Sequence, residues 1–211
     1  MTEFPKGIYL VVDPQMETDV LFENTRQALE GGVNVLQIWN NWPESYDQAS
    51  KVAFINQLLE LANSYNVPVL INNEWELMRE TELAGVHFDE IPADIKSIRL
   101  QIPRTFYVGI TCGNDRKKIR AVQNLEVDYI SFCSMFPSSS VDTCEIVNPD
   151  NVAFARLYSS LPIFVSGGIT PNNASSLMGC GADGIAVISG ILNAENPKKA
   201  AEAYQKALKH I

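Results

Sequence analysis

The stretch IFVSGGITPNNASSLMGCGADGIAVISGI, residues 163–191, decides the fold. Ile163–Ser166 form a short apolar run that ends in Gly167-Gly168. Pro171 stands where a first helical turn accepts proline, and a helix is expected over 171–179. A second apolar run, Gly184–Ile188, follows and ends in Ser189-Gly190. Strand, helix, strand at this spacing is a unit of a parallel sheet. The runs do not alternate apolar with polar residues, which suits strands buried on both faces.

The same unit repeats toward the N-terminus. Strands are expected at Ile8–Val12, Val33–Trp39, Val67–Asn72, Gly85–Phe88, Thr105–Ile110 and Tyr129–Cys133. Helices are expected over 18–31, 47–65, 75–83, 92–100, 114–123, 149–159 and 197–209. The second shows its period clearly, with Val52, Ile55, Leu58, Leu59 and Ala62 on one face. Gly31-Gly32 marks the end of the first helix, and Pro149 and Asn196-Pro197 open later ones. Eight units in 211 residues average about 26 residues each, within the lower range for an eight-stranded barrel. An open doubly wound sheet is the alternative, but its glycine fingerprint is missing: Asp13-Pro14-Gln15-Met16 follows the first strand. No linker or shift in composition divides the chain. The reading is an α/β chain folded as a single (β/α)8 TIM barrel, one domain over residues 1–211.

Composition narrows the function. The chain is 46% hydrophobic and carries a net charge of −9, which excludes a disordered segment. An acidic balance with only two basic clusters, Arg116-Lys117-Lys118 and Lys198-Lys199, argues against a nucleic-acid partner. No apolar run approaches the roughly 18 residues that cross a bilayer, so no membrane partner is expected. Met1–Lys6 lack a basic region followed by an apolar stretch, so no secretory leader is expected. The four cysteines, 112, 133, 144 and 180, form no C-x-x-C pair. A cytoplasmic location is the expectation, with a homo-oligomer left open.

In such a barrel the chemistry lies at the C-terminal ends of the strands. The last two strands carry the clearest signal there. Gly167 and Gly168 let backbone approach a ligand, and Ile188, Ser189 and Gly190 are expected to open a short extra helix. Loops after strands seven and eight bind phosphate in many barrels. Ser138, Ser139 and Ser140 after strand six add hydroxyl donors. Gln37 and Asn72-Asn73 offer amides for a polar heterocycle. His87 at the end of strand four is a candidate for proton transfer, with a half-buried structural histidine as the plainer alternative. Cys112 and Cys133 read as packing residues, and Trp39 and Trp42 either floor a pocket or cover apolar surface.

Several segments together resemble the thiamine phosphate synthase and thiazole tautomerase (TenI) superfamily. They are Ile8–Pro14, Gly31–Gln37, Val67–Asn73, Gly85–His87, Asp128–Pro137, Gly167–Ile169 and Gly181–Ile191. They span nearly the whole chain in the family's order. The resemblance implies a (β/α)8 barrel, a role in thiamine biosynthesis and a thiazole phosphate as small-molecule partner. Carried over by position, Gly167, Gly168, Ile188 and Ser189 match the phosphate loop, and Ser138 and Ser140 stand where the family has threonines. Gln37, Asn72 and Thr111 match substrate-binding positions.

The half that handles pyrophosphate and Mg2+ departs from the pattern. Trp39 and Asn41 replace an arginine and a lysine, and Val141 replaces a lysine. Asn73 and Pro92 replace the two Mg2+ aspartates, leaving Asp89 and Glu90 (or Asp94) as substitute ligands. In a water-poor site each lost donor costs about 3 kcal/mol in barrier. The resemblance therefore favours a TenI-like role over ordinary synthase turnover. The tautomerase, however, has a histidine where this chain has Ser134, which with His87 is a catalytic candidate. Three alternatives stay open: an active synthase with compensating residues, a non-catalytic binder of a phosphorylated precursor, and an enzyme on an unrelated phosphomonoester using His87, Asp89 or Glu90.

Overall fold

The computed structural model of the protein describes residues 3–137 and 145–209. Eight parallel strands close into a barrel in sequence order: β1 Gly7–Val12, β2 Val35–Ile38, β3 Val69–Asn72, β4 Gly85–Phe88, β5 Tyr107–Thr111, β6 Tyr129–Cys133, β7 Ile163–Ser166 and β8 Gly184–Val187. Closure comes from β8 pairing β1, with Ile185 opposite Ile8. The helices are α1 Thr18–Glu30, α2 Gln48–Asn63, α3 Ile95–Gln101, α4 Arg116–Ala121, α5 Pro149–Tyr158, α6 Pro171–Met178, α7 Ser189–Leu192 and α8 Pro197–Lys209. This is a (β/α)8 TIM barrel, as the alternation predicts. No helix among the described residues is long and apolar enough to cross a membrane.

One expected helix, 75–83, shortens to a 3-10 turn at Trp75–Arg79. Only residues 73–84 connect β3 to β4. A 3-10 turn rises about 2.0 Å per residue against about 1.5 Å for an α-helix, so it covers the return with fewer residues. Strands two and three begin two residues later than expected, for one shared reason. Gly32 (φ +95°) and Asn66 (φ +56°) turn left-handed, and the next N–H bonds back to the helix: Val33 to Ala28 O (3.3 Å) and Val67 to Ala62 O (3.2 Å).

Two cores result. The larger lies between sheet and helices and holds residues such as Leu10, Leu36, Ile55, Ile71, Ile130 and Ile185. The smaller plugs the barrel with Phe4, Tyr9, Val35, Leu70, Tyr129 and Phe164. Phe4 stacks on Tyr129 with centroids 4.0 Å apart. Gly109 makes room for that tyrosine, because a Cβ there would lie 2.0 Å from its ring. At the opposite end to the mouth, three side chains repeat one role. Asn34 before β2, Asp128 before β6 and Asp183 before β8 accept the N–H groups of Ile8 (2.8 Å), Val108 (2.7 Å) and Ile163 (2.9 Å). These bonds satisfy strand N–H groups that enter the barrel with no ladder partner of their own.

Candidate functional site

The C-terminal strand ends surround a cavity of about 660 Å³, a size suited to a small ligand. A second depression, about 730 Å³, lies between the end of α1 and α8 and is lined by Glu30, Gly31, Glu202 and Lys206 among others. It lies away from the C-terminal strand ends, where barrels place chemistry.

On the β7–β8 side the wall is built of backbone. Gly167 and Gly168 both have positive φ, +89° and +61°. Their missing Cβ atoms matter as well: one on Gly167 would lie 1.7 Å from Ser134 Oγ, and one on Gly168 would lie 2.4 Å from Pro137 O. The loop after β6 runs against this turn, with Met135 N–H donating to Ser166 O (2.8 Å) and Phe136 N–H to Gly167 O (3.1 Å). Asn173 latches it by donating to Gly168 O (3.1 Å) and accepting from Thr170 N–H (2.8 Å). The Gly168 N–H has no hydrogen-bond partner among the described residues. Beside it α7 opens at Ser189, where the Ile191 and Leu192 N–H groups bond back to Ile188 O (3.2 and 3.0 Å). Tyr204 from α8 ties the two loops together: its hydroxyl donates to Ile169 O (2.8 Å) and lies where a Cβ on Gly190 would stand.

The floor is a chain of buried hydrogen bonds. Tyr9 O–H donates to Gln37 Oε1 (2.6 Å). A hydroxyl has one hydrogen, so this first donation orients the rest. Tyr9 then accepts from Tyr129 O–H (2.9 Å), and Tyr129 accepts from His87 Nδ1–H (2.9 Å). His87 Nε2 accepts from Thr111 O–H (2.9 Å), which accepts from Ser131 (3.0 Å). This pattern requires a neutral imidazole. Burial enforces it, lowering the His87 pKa from 6.5 to about 4; the Asp89 charge opposes the shift and Lys118 assists it. Burial raises the Tyr9 and Tyr129 hydroxyls well above their usual range, so both stay protonated donors. Gln37 is 7% exposed, and its Nε2 has no partner among the described residues.

The β2–β4 side is built of side chains. Asn72 Nδ2 donates to Asp89 Oδ1 (3.2 Å) and His87 O (3.3 Å). Asn73, at φ +59°, makes a two-point pair with Asp89: Nδ2 to Oδ2 (2.7 Å), and Asp89 N–H to Oδ1 (3.1 Å). Lys118 Nζ donates to Asp89 O (2.9 Å) and Glu90 Oε2 (2.7 Å). Asn41 donates to Asp13 (3.0 Å), Lys51 pairs with Glu74 (2.8 Å), and the Trp39 indole lines the cavity. Among the described residues no three His, Cys, Asp or Glu side chains converge as a metal site.

Of the residues singled out in the sequence, Gln37, Asn72, His87, Asp89, Glu90, Thr111, Gly167, Gly168, Ile188 and Ser189 all line this cavity. Ser134 lies behind the wall, 2% exposed, with its hydroxyl donating to Phe136 O (3.2 Å). Ser138 and Ser140, with Val141, lie outside the described residues. The sequence reading missed Tyr9, Tyr129, Ser131 and Tyr204. Strands buried on both faces do not reveal which residues point inward, so the two barrel tyrosines left no signal. Tyr204, three residues after the buried Ala201 in α8, left one: a large side chain on the buried stripe of a Lys- and Ala-rich helix.

The family described as thiamine monophosphate synthase matches residues 8–191 of this chain. Thiamine-phosphate synthase 1 of Aquifex aeolicus is 32% identical, over 97% of this chain and 95% of its own length. Thiamine-phosphate synthase of Geobacillus kaustophilus is 31% identical over 96% and 92%. Among solved structures, thiamine phosphate pyrophosphorylase from Pyrococcus furiosus superimposes with a TM-score of 0.81, covering 96% of this chain and 95% of that one. At 21% identity that likeness speaks for the fold alone.

Proposed function

This chain belongs to the thiamine monophosphate synthase family, and from that premise we propose that it binds a thiazole phosphate at the barrel mouth with little synthase turnover. One observation carries the reading: the cavity has a backbone-built end suited to a phosphomonoester but no Lys or Arg among its described lining residues. Phosphate oxygens would accept from N–H groups of Gly167, Gly168, Ile188 and Ser189, with the Ser138 and Ser140 hydroxyls as further donors. Gln37 Nε2 would donate to a ring acceptor, and Asn72 and Thr111 would border the ring.

Mg2+ does not suit the residues present. It prefers near-octahedral oxygen ligands, yet the Asn72 and Asn73 amides direct N–H donors at both Asp89 oxygens. Glu90, the other acidic residue lining the cavity, pairs with Lys118. No step is therefore routed through a metal. The two proton-transfer candidates are also poorly disposed. His87 is neutral with its Nε2 engaged by Thr111, and Ser134 faces Phe136 O. This supports a positioning role for His87 through Thr111, and binding ahead of chemistry: a TenI-like protein or a non-catalytic binder.

The names of the relatives favour a second reading, an active synthase. In it Lys118, 12% exposed beside Asp89, would stand in for the lost cations. Calorimetric titration with thiazole phosphate tests the binding, and no heat at millimolar ligand would sink it. Assaying thiamine phosphate formation with Mg2+ separates the two readings.

A further inference from the structure

Five polar side chains cross the barrel floor in one line: Gln37, Tyr9, Tyr129, His87 and Thr111. Their links measure 2.6, 2.9, 2.9 and 2.9 Å in that order. Each hydroxyl has one hydrogen to place, and a neutral imidazole donates from one ring nitrogen and accepts at the other. Such a line has two complete arrangements. In the first, every donation points toward Gln37, which offers Oε1 to Tyr9, and His87 carries its hydrogen on Nδ1. In the second, the Gln37 amide is turned over and its Nε2 donates to Tyr9. Every hydroxyl hydrogen then swings round, and His87 carries its hydrogen on Nε2. The imidazole gives up one proton at Nδ1 and takes one at Nε2 by exchange with water in the cavity, so the proton count is unchanged. Any mixed arrangement sets two donors or two acceptors against each other and leaves a buried hydrogen bond unmade.

The heavy atoms of the line are held by packing. Phe4 stacks on Tyr129, Phe164 meets both tyrosine rings edge-on, and Tyr129 fills the space that a Cβ on Gly109 would need. Only hydrogens and the Gln37 amide are free to change. The first link chooses between the arrangements: 2.6 Å is an ordinary O–H···O length and too short for N–H···O. Tyr9 therefore donates to Oε1, which leaves Nε2 of Gln37, a residue more than nine-tenths buried, as a donor facing the cavity. We infer that Gln37 and His87 act as one unit, with Tyr9 and Tyr129 making the amide face shown to a ligand and the tautomer of His87 change together. The two tyrosines are then positioning residues that fix Gln37 as a donor and favour a ligand with a hydrogen-bond acceptor at that point. A ligand donor there must reverse the whole line. The preference for an acceptor rests on the proposed binding at the barrel mouth; the coupling is a property of the ligand-free protein.

Nitrogen NMR of the full-length, ligand-free protein reads the coupling, with His87 assigned by comparison with His87→Gln. The wild type should show the Nδ1–H tautomer, and the Tyr129 hydroxyl hydrogen should give nuclear Overhauser contacts to Tyr9. Gln37→Met removes the acceptor that orients the line, so Tyr9 and then Tyr129 turn their hydrogens round and His87 should shift to Nε2–H. Tyr9→Phe should produce the same shift, and adding Gln37→Met to it should change nothing more. A wild type in the Nε2–H form overturns the inference, as does a folded Gln37→Met that keeps Nδ1–H. A shift on Gln37→Met that persists at full size in the Tyr9→Phe background also overturns it, because no tyrosine then carries it. If the variants do not fold, the wild-type tautomer and the Tyr129 hydroxyl contacts decide the matter together. Calorimetric titration with thiazole phosphate supplies the ligand arm: Tyr9→Phe frees the Gln37 amide to rotate and should weaken binding about threefold or more. Unchanged affinity in that variant overturns the positioning role. A wild type that binds no thiazole phosphate overturns the proposed ligand, while the tautomer measurements still decide the coupling.

Discussion

The two sides of the barrel mouth are made of different material. At β7–β8 the groups lining the cavity belong to backbone: two glycines with positive φ, a latch through Asn173, and the opening of α7. At β2–β4 they belong to side chains: Trp39, Asn72, Asp89 and Glu90. Backbone donors survive nearly any substitution that keeps the loop's shape. A site built from side-chain cations is erased one residue at a time. On the proposed reading, that difference would account for a chain that keeps a phosphate loop at Gly167, Gly168, Ile188 and Ser189 while differing from the expected pattern at Trp39, Asn41, Asn73, Pro92 and Val141.

The sharpest way to break the comparison is to disturb backbone where it matters. Gly167→Ala forces a left-handed residue to carry a Cβ into Ser134. It should cost about 3 kcal/mol in urea unfolding and about a hundredfold in thiazole phosphate affinity, equivalent to about 2.7 kcal/mol. Asp89→Asn on the other side should move stability by less than about 1 kcal/mol. If the two variants behaved alike in unfolding and titration, the division between backbone and side-chain walls would be lost.

The floor between the two sides gives a pH signature. His87 titrates near 6.5 unfolded and about 4 folded. Below 6.5 the unfolded chain binds a proton that the folded chain refuses, so stability falls with acidification. The contribution is fully present above 6.5 and is lost progressively down to about pH 4. Its ceiling is about 3 kcal/mol. His87→Gln should flatten the pH dependence of urea midpoints in that window; an unchanged slope would mean the imidazole titrates alike in the folded and unfolded chain.

Restoring the side-chain wall is the complementary experiment. Trp39→Arg, Asn41→Lys, Asn73→Asp and Val141→Lys together should raise Mg2+-dependent synthase activity about tenfold or more. No gain in a folded variant would show that the missing charges are not what limits turnover. A smaller effect than at Gly167 is expected at Tyr129→Phe, which severs Tyr9 from His87 at a cost of about 1–2 kcal/mol. Nitrogen NMR should report the Nδ1–H tautomer of His87 in the wild type, with that preference weakened in the variant.

The barrel was legible because most strands are short apolar runs closed by Gly, Asn or Asp signals, and a parallel sheet needs little else. β4, β6 and β7 fall on their expected bounds. The 3-10 turn after β3 was hidden because helix periodicity ignores how short the return path is. Strand-end position alone brought Gln37, Asn72, His87 and Gly167 into the list of site residues. It could not reveal the Asn73–Asp89 pair, joined across 16 positions by the neighbouring ends of β3 and β4. Nor could it reveal Tyr9 and Tyr129, joined across 120 positions through the barrel interior.

Tyr204 links assembly to recognition. Its hydroxyl reaches Ile169 from a helix that follows the eighth strand, so the turns after β7 and β8 share a support that arrives after both. A nascent barrel with all its strands emerged but α8 undocked would have the shape of a binding protein without a held phosphate end. If these turns hold the proposed phosphate, its capture would report completion, because they are braced only once α8 packs against them. A ligand held there would in turn brace α8, since whatever steadies those turns steadies the helix that supports them.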